Sequence, residues 1–347
     1  MANGIIWAEG FDTLGASNNC LSRYADAAGN SFLGTAYGRF GGYGCRVLGS
    51  DYMKITPADG LGGGSSTYSH LILGCACQAT YTMTEALALE LWTFMDGTNV
   101  QVHFRQNVPL GFIAAYRGSG TSNLLGQSSN YSVKWDKWNY LELRVKFHGS
   151  TGEVEVRCNE TQILNLSSQN TISTANAYAD RVLLRANGNV DDVVLIDRTV
   201  GSGFLGDQRV VPLMPSGDSV VAWTKSGGAS NAACVDEAAA AGTAPNADTD
   251  YVSSSTPTQK DLYTLPDLTG TPTVAAVQVI SRARKDDAGT RTMRNLIDLS
   301  ATQSTGATVT MTASYQNVQT VFETKPGGGA WAYTDVNTLV AGVECVA

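Results

Sequence analysis

Chemistry in this sequence would have to start from a few acidic pairs and three histidines. Glu153-Val154-Glu155 places two carboxyls at i and i+2, on one face of a strand. Two such groups could flank a glycosidic bond, which in retaining hydrolysis requires a spacing of about 5–5.5 Å. Arg144, Lys146 and Arg157 surround them, so the pair reads as a solvated charge ladder, and no catalytic residue is assigned. Asp191-Asp192 offers hard oxygen ligands for calcium, but a calcium site draws on about six to eight oxygens and neighbouring strand residues point to opposite faces. No metal site is assigned. His70, His103 and His148 read as strand or turn residues, and no Gly-x-Ser-x-Gly elbow accompanies them. Gly60-Leu61-Gly62-Gly63-Gly64-Ser65-Ser66 lacks the lysine and following helix of a phosphate cradle and reads as a flexible loop. The sequence calls for no cofactor.

Seven cysteines stand at positions 20, 45, 75, 77, 158, 234 and 345. None forms a CxxC motif, and three histidines are too few to complete a zinc site with them. Buried free thiols are one reading. Disulfides formed after the protein leaves a reducing compartment are the other, with an odd count leaving one thiol free or paired with another chain.

The elements that would position these groups are strands. Period-two alternation runs through most of the chain and sustained helical periodicity is missing. Ile5 to Asp12, Thr35 to Phe40, Arg46 to Ile55 and Tyr68 to Thr82 read as strands. Leu87 to Phe94 alternates with Leu87, Leu89 and Leu91 on one side and Ala88, Glu90 and Trp92 on the other. The turn Asp96-Gly97-Thr98-Asn99 leads into Val100 to Arg105. Trp138 to Phe147 turns Leu141, Leu143, Val145 and Phe147 inward and Glu142, Arg144 and Lys146 outward, and Glu153 to Glu160 alternates as its hairpin partner. One short helix is expected at Thr334–Leu339, capped by Thr334 or Asp335.

Composition bounds the partners. The 347 residues are 16% charged and carry a net charge of −8, while Gly alone numbers 37. About 25% charged is usual, so neutral Ser, Thr, Asn and Gly fill the surface, which suits turn-rich β structure. An acidic chain without basic clusters has no footprint for nucleic acid. No stretch approaches the ~20 apolar residues of a membrane span, so no membrane insertion is expected. The first residues lack a basic region and a cleavable apolar segment, which predicts synthesis and folding in a cytosol.

Certain stretches, in order, carry a family likeness. Trp7-Ala8-Glu9-Gly10-Phe11-Asp12 stands near the start. Trp138-Asn139-Tyr140-Leu141-Glu142, a glycine hairpin and Gly152-Glu153-Val154-Glu155-Val156 stand in the centre, and Asp191-Asp192-Val193-Val194-Leu195 closes the run. Together they resemble the laminin-G/concanavalin A-like jelly roll found in structural proteins of tailed-bacteriophage virions, over about residues 1–200. Gly203-Phe204-Leu205-Gly206-Asp207-Gln208-Arg209-Val210 is similar to the junction after which a second β domain follows in those proteins. The expectation is an all-β chain: a concanavalin A-like jelly-roll sandwich at 1–203, then a smaller β-sandwich at 204–347.

The resemblance implies a non-enzymatic structural component of a virion exterior, made in the host cytoplasm, on the head surface, collar or tail. Its partners would be other virion proteins and copies of itself. Glucanases of this fold carry a Glu-x-Asp-x-x-Glu-like run that this sequence lacks, hence the expectation of no enzyme. In a mature particle some of Cys20, Cys45, Cys75, Cys77, Cys158, Cys234 and Cys345 would form disulfides within or between subunits, Cys158 and Cys345 being the more accessible. The alternative is a lectin-like module recognising host-surface glycan, with Trp92, His103 and Arg105 lining one sheet face. Against it stands Trp92 packing between the sheets or against a neighbouring subunit.

Overall fold

Alternating apolar and polar residues become antiparallel strands throughout the structure, a computed structural model that describes residues 3–12, 27–28, 32–34, 37–47, 52–55, 66–79, 88–185, 188–201, 203–236 and 248–347. Contacts divide the chain into two units, the first ending at Val211 and the second running from Pro212 to Ala347.

The first unit is a two-layer jelly-roll sandwich. One sheet has eight strands. Its spatial order is β13 (Thr161–Gln169), β12 (Gly152–Cys158), β11 (Asn139–Lys146), β6 (His70–Ala79), β15 (Gly188–Asp197), β4 (Gly44–Val47) and β3 (Phe32–Gly34), with β1 (Ile5–Glu9) also paired to β15. The other has seven: β10 (Leu124–Gln127), β9 (Phe112–Arg117), β8 (Asn99–Asn107), β7 (Ala88–Asp96), β14 (Arg181–Leu184), β5 (Tyr52–Ile55) and β2 (Ala27–Ala28). Their facing sides bury one apolar core that includes Trp7, Leu73, Phe94, Phe104, Leu143 and Phe147. Phe94 meets Phe104 edge-on at 6.2 Å and Phe147 at 5.9 Å, so ring contacts join the layers. Each such side chain contributes roughly 1.5–3 kcal/mol by leaving water.

The β11–β12 pairing follows its alternation. Leu141, Leu143 and Val145 face the core, while Arg144 lies opposite Glu155 and Lys146 opposite Glu153. Glu142 belongs to the outward row yet is buried, because residues 204–210 fold back across that face. Its carboxylate accepts the N–H groups of Leu205 at 2.9 Å and Gly206 at 3.0 Å. Phe204 lies under the guanidinium of Arg157, 4.0 Å from the ring centroid. Asp207 pairs with Arg39, and the Val210 N–H reaches Asp192 at 2.8 Å. The segment expected as the junction before the second domain is thus a strap held by the first unit. Apolar Phe204 and Leu205 beside Asp207 are equally suited to a linker or a strap, and only the buried Glu142 separates the two.

β15 changes partner midway. Gly188–Val190 pairs with β4, whereas Val193–Ile196 pairs with β1. The register against β6 shifts between Asp191 and Val194, and Asp192 takes a left-handed φ of 51°. A bulge at such a switch bends the strand and re-aims its side chains.

Two other local expectations are corrected. Arg46 to Ile55 is not one strand: β4 and β5 lie in opposite sheets. Residues 37–40, expected as the end of a strand, form turn structure in which the main-chain N–H of Arg39 donates to Asp191 at 2.8 Å.

The second unit is a smaller β-sandwich. β16 (Gly217–Val220), β19 (Lys260–Thr264), β25 (Val340–Cys345), β21 (Thr292–Leu299) and β22 (Thr302–Thr305) lie in that order, and β23 (Val309–Thr310) also pairs with β21. A ribbon of β20 (Val277–Ala283) and β24 (Gln316–Phe322) packs over this sheet through Val277, Val279, Phe322 and Ile297. A second ribbon joins β17 (Thr224–Ser226) to β18 (Tyr251–Ser253). The helix α1 spans Tyr333–Asn337, with Ala332 as its N-cap in place of Thr334 or Asp335. Asp335 instead accepts the Ala332 N–H at 2.9 Å and pairs with Lys325. Fully buried Asp261 organises the unit, accepting bonds from Ala222 N–H, Trp223 N–H, the Asn231 amide and the Tyr263 hydroxyl.

Candidate functional site

Of the three residues expected to line a sugar-binding face, the structure brings two together and removes the third. The register between β7 and β8 shifts between Glu90 and Trp92, so Leu91 and Trp92 both join the core and Trp92 has 0% exposure. Unbroken alternation would have kept Trp92 beside Glu90; the bulge turns its ring inward, where it cannot stack on a ligand.

The face of the seven-stranded sheet turned away from the core is defined by cross-strand register. One row runs Lys54, Leu183, Thr93, His103, Tyr116, Leu124. Beside it run Glu90, Arg105, Ala114 and Gln127, and Arg185 closes on Glu90 at 2.8 Å. Among the described residues Lys54, Arg105 and Arg185 share this face with Glu90, and Arg181 joins them paired with Asp180 at 2.8 Å, in a chain whose net charge is −8.

His103 lies beneath this surface at 1% exposure. Its ring stacks on Tyr116 with centroids 5.2 Å apart and planes 15° off parallel. Nδ1 is 2.8 Å from the carbonyl oxygen of Gly118, which fixes the proton on that nitrogen. Among the described residues, buried His103 Nε2 and Thr93 Oγ1 have no hydrogen-bond partner. Burial, with help from Arg105 and Arg185, lowers the His103 pKa against the raising effects of Gly118 and Glu90, which favours the neutral ring. His103 is a buttress, and the half-exposed groups that could touch a ligand are Tyr116, Arg105, Arg185 and Glu90. Sequence reasoning missed Tyr116, Glu90 and Arg185; continuing the alternation of Phe112–Tyr116 across to β8 would have found the first.

The other acidic candidates are held in ion pairs and main-chain hydrogen bonds. Glu153 and Glu155 meet Arg144 at 3.2 and 2.9 Å, and Arg157 adds 2.9 Å to Glu155. Asp191 accepts the N–H groups of Arg39 and Asp192, each at 2.8 Å, while Arg39 also approaches Asp192 at 3.8 Å. Burial, reinforced by the Asp192 charge, raises the Asp191 pKa to about 7. Burial raises Asp192 to about 6 despite Val210 and Arg39.

Within the chain, no disulfide joins the described cysteines. Cys45, Cys75, Cys77, Cys158, Cys234 and Cys345 are all free thiols and all buried, Cys158 and Cys345 included. Each lies in the interior, four of them in the sandwich core where they serve as small apolar side chains. Cys20 lies outside the described residues.

No family model matches the chain, nor does any curated protein. Solved structures do. Alginate lyase Aly36B is 14% identical, with 57% of this chain and 98% of that chain covered at a TM-score of 0.37. Domain 4 of AbnA, an extracellular arabinanase of Geobacillus stearothermophilus in complex with arabinotriose, is 12% identical over 57% of this chain and 94% of that one, TM-score 0.36. Galectin LEC-6 of Caenorhabditis elegans is 10% identical over 43% and 93%, TM-score 0.29. With an alginate lyase among the matches, the exclusion of enzymatic activity drawn from the sequence does not hold. A missing glucanase-type run bears on that chemistry alone.

Proposed function

We propose that the first unit recognises an acidic saccharide on the outward face of its seven-stranded sheet. The observation that carries this is the charge of that face: Lys54, Arg105 and Arg185 against Glu90, beside the ring of Tyr116. Arginine forks bind carboxylates through two parallel bonds, and a tyrosine ring supplies a flat apolar surface with little entropy to lose. His103 holds that ring from below by stacking on it.

Binding of the full chain to immobilised uronate-rich and neutral oligosaccharides tests the reading. Uronate-selective binding that weakens with salt and falls about tenfold or more in Arg185→Gln and Tyr116→Ala is expected, since charged hydrogen bonds contribute about 1.5–3 kcal/mol. A blank array, or equal binding by both variants, overturns it.

A second reading is supported by the sequence likeness and by large apolar side chains left exposed. In it the chain is a subunit of a tailed-phage particle exterior, made in the host cytoplasm and docked on other virion proteins and copies of itself. Phe40 (54%) and Tyr131 (74%) in the first unit, and Val221 (57%) in the second, are such side chains. Peptides of the chain in purified particles, at many copies each, are the expected result of mass spectrometry. Their absence excludes this reading.

A further inference from the structure

A separate cleft of 420 Å³ lies at one end of the first unit's sandwich, lined by Arg117, Asn123, Gly149, Asn170, Ile172 and Thr174 among others. Its volume falls within the ~300–1,000 Å³ of small-molecule sites. Arg117 and Asn123 come from the β9–β10 hairpin, Gly149 from the β11–β12 hairpin, and the rest from the segment after β13.

The walls are fixed. Buried Gln101 binds the lining segment from inside, accepting the Ser173 N–H at 2.7 Å and donating to Thr174 Oγ1 at 3.0 Å and to the carbonyls of Asn176 and Tyr178. Thr174 also donates to Asp96 at 2.9 Å, and the Ser173 hydroxyl to the Val100 carbonyl. Buried Thr171 ties the segment to β11 through the Lys146 carbonyl at 2.7 Å. Across the cleft, the Arg117 N–H donates to the Asn123 carbonyl at 2.9 Å. Gly149 lines the cleft beside Ile172, where an added Cβ would come 3.6 Å from the Ile172 side chain.

Within this frame sits an uncompensated charge. Arg117 is half-buried and no carboxylate lines the cleft with it. Among the described residues its guanidinium has no hydrogen-bond, ion-pair or ring partner. The remaining polar lining is neutral amide and hydroxyl, and Ile172 adds an apolar side chain.

From the unpartnered Arg117 facing neutral amides in a rigid, sugar-sized cleft, we infer a second binding site that takes a single carboxylate-bearing sugar, such as the uronate at a chain end. The guanidinium would take the carboxylate, the side-chain amides of Asn123 and Asn170 the ring hydroxyls, and Ile172 an apolar ring edge. One arginine matches one negative charge; a phosphate dianion would call for more. The inference stands apart from the sheet face, which lies across β9 from it.

Titration of the full chain with free D-glucuronate, D-glucose and acetate, read from the Asn123 and Asn170 side-chain amide resonances, tests the site. Glucuronate should shift both, with affinity at least about tenfold above glucose and above acetate, because each lacks one half of the recognition. Arg117→Gln should weaken glucuronate about tenfold or more, and Gly149→Leu should block it with the charge still present. Arg185→Gln, on the sheet face, should leave this titration unchanged. Amides that do not move, or Arg117→Gln binding as wild type does, overturn the site and leave the sheet-face reading intact. Acetate or glucose binding as tightly as glucuronate overturns its assignment to an acidic sugar.

Discussion

Replacing Asp191 by asparagine gives a direct test of how burial governs the first unit. Asp191 is 5% exposed, and burial with the neighbouring Asp192 charge holds its pKa at about 7 against 3.8 unperturbed. Ionising it in place therefore costs on the order of 4 kcal/mol more than in the unfolded chain. Because the folded pKa is the higher one, its contribution to stability is full below about pH 3.8 and is lost as the pH rises through about 7. From about pH 5 to about pH 8.5 the wild type should lose about 2–3 kcal/mol from this group alone. His70 acts oppositely: burial and Arg144 lower its pKa to about 4, so it withdraws stability as the pH falls below its ordinary 6.5. The difference between wild type and Asp191→Asn cancels that contribution. Asparagine keeps one of the two acceptors that serve Arg39 and Asp192, leaving a pH-independent deficit of about 1–3 kcal/mol. Urea unfolding, followed by the fluorescence of buried Trp7, Trp92 and Trp135, should show the net deficit of the variant, this constant part included, shifting by about 2–3 kcal/mol in the variant's favour between the two pH values. A deficit that stays constant, or grows with pH, would refute the reasoning.

The remaining predictions concern thiols and the second unit. In a Cys20→Ser chain, a thiol reagent should leave the other six cysteines unlabelled under native conditions and modify all six in urea, because each is buried and burial raises Cys75, Cys77 and Cys158 above the usual thiol pKa. Rapid native labelling of Cys158 or Cys345 would contradict their placement. Asp261→Ala strands two main-chain N–H groups, the Asn231 amide and the Tyr263 hydroxyl, and should destabilise the second unit by about 3 kcal/mol or more. A loss under about 1 kcal/mol in thermal unfolding would show that other acceptors replace it.

Fold class was legible because two-residue periodicity is a local signal. Leu141, Leu143 and Val145 announce their face without reference to any other strand, and the β11–β12 charge ladder follows from the hairpin between them. Legibility ended where the period breaks. The bulge at Glu90/Trp92 has no composition of its own, so alternation assigned Trp92 to the wrong face and made it a sugar-binding candidate. The same gap hid the roles of Asp191 and Asp192, which sit where β15 exchanges β4 for β1 and are answered by Arg39 from more than 150 positions away. Arg105 was readable as a face residue because β8 pairs with β9 around it without a break in register. Arg185 and Arg117 were not, since their importance comes from neighbours on other strands and, for Arg117, from a charge left without one.

The strap at 204–210 also sets where mechanical load would enter the first unit. A pull on the chain at Val211 reaches the Val210–Asp192 bond and the Asp207–Arg39 pair before it reaches the ladder between β15 and β6. Glu142 and Phe204 come next, held to β11 and β12 by charge-assisted and cation–ring contacts. These contacts would give way in sequence and absorb extension while the sandwich core stayed closed. The strap would act as a strain relief for the sheet behind it.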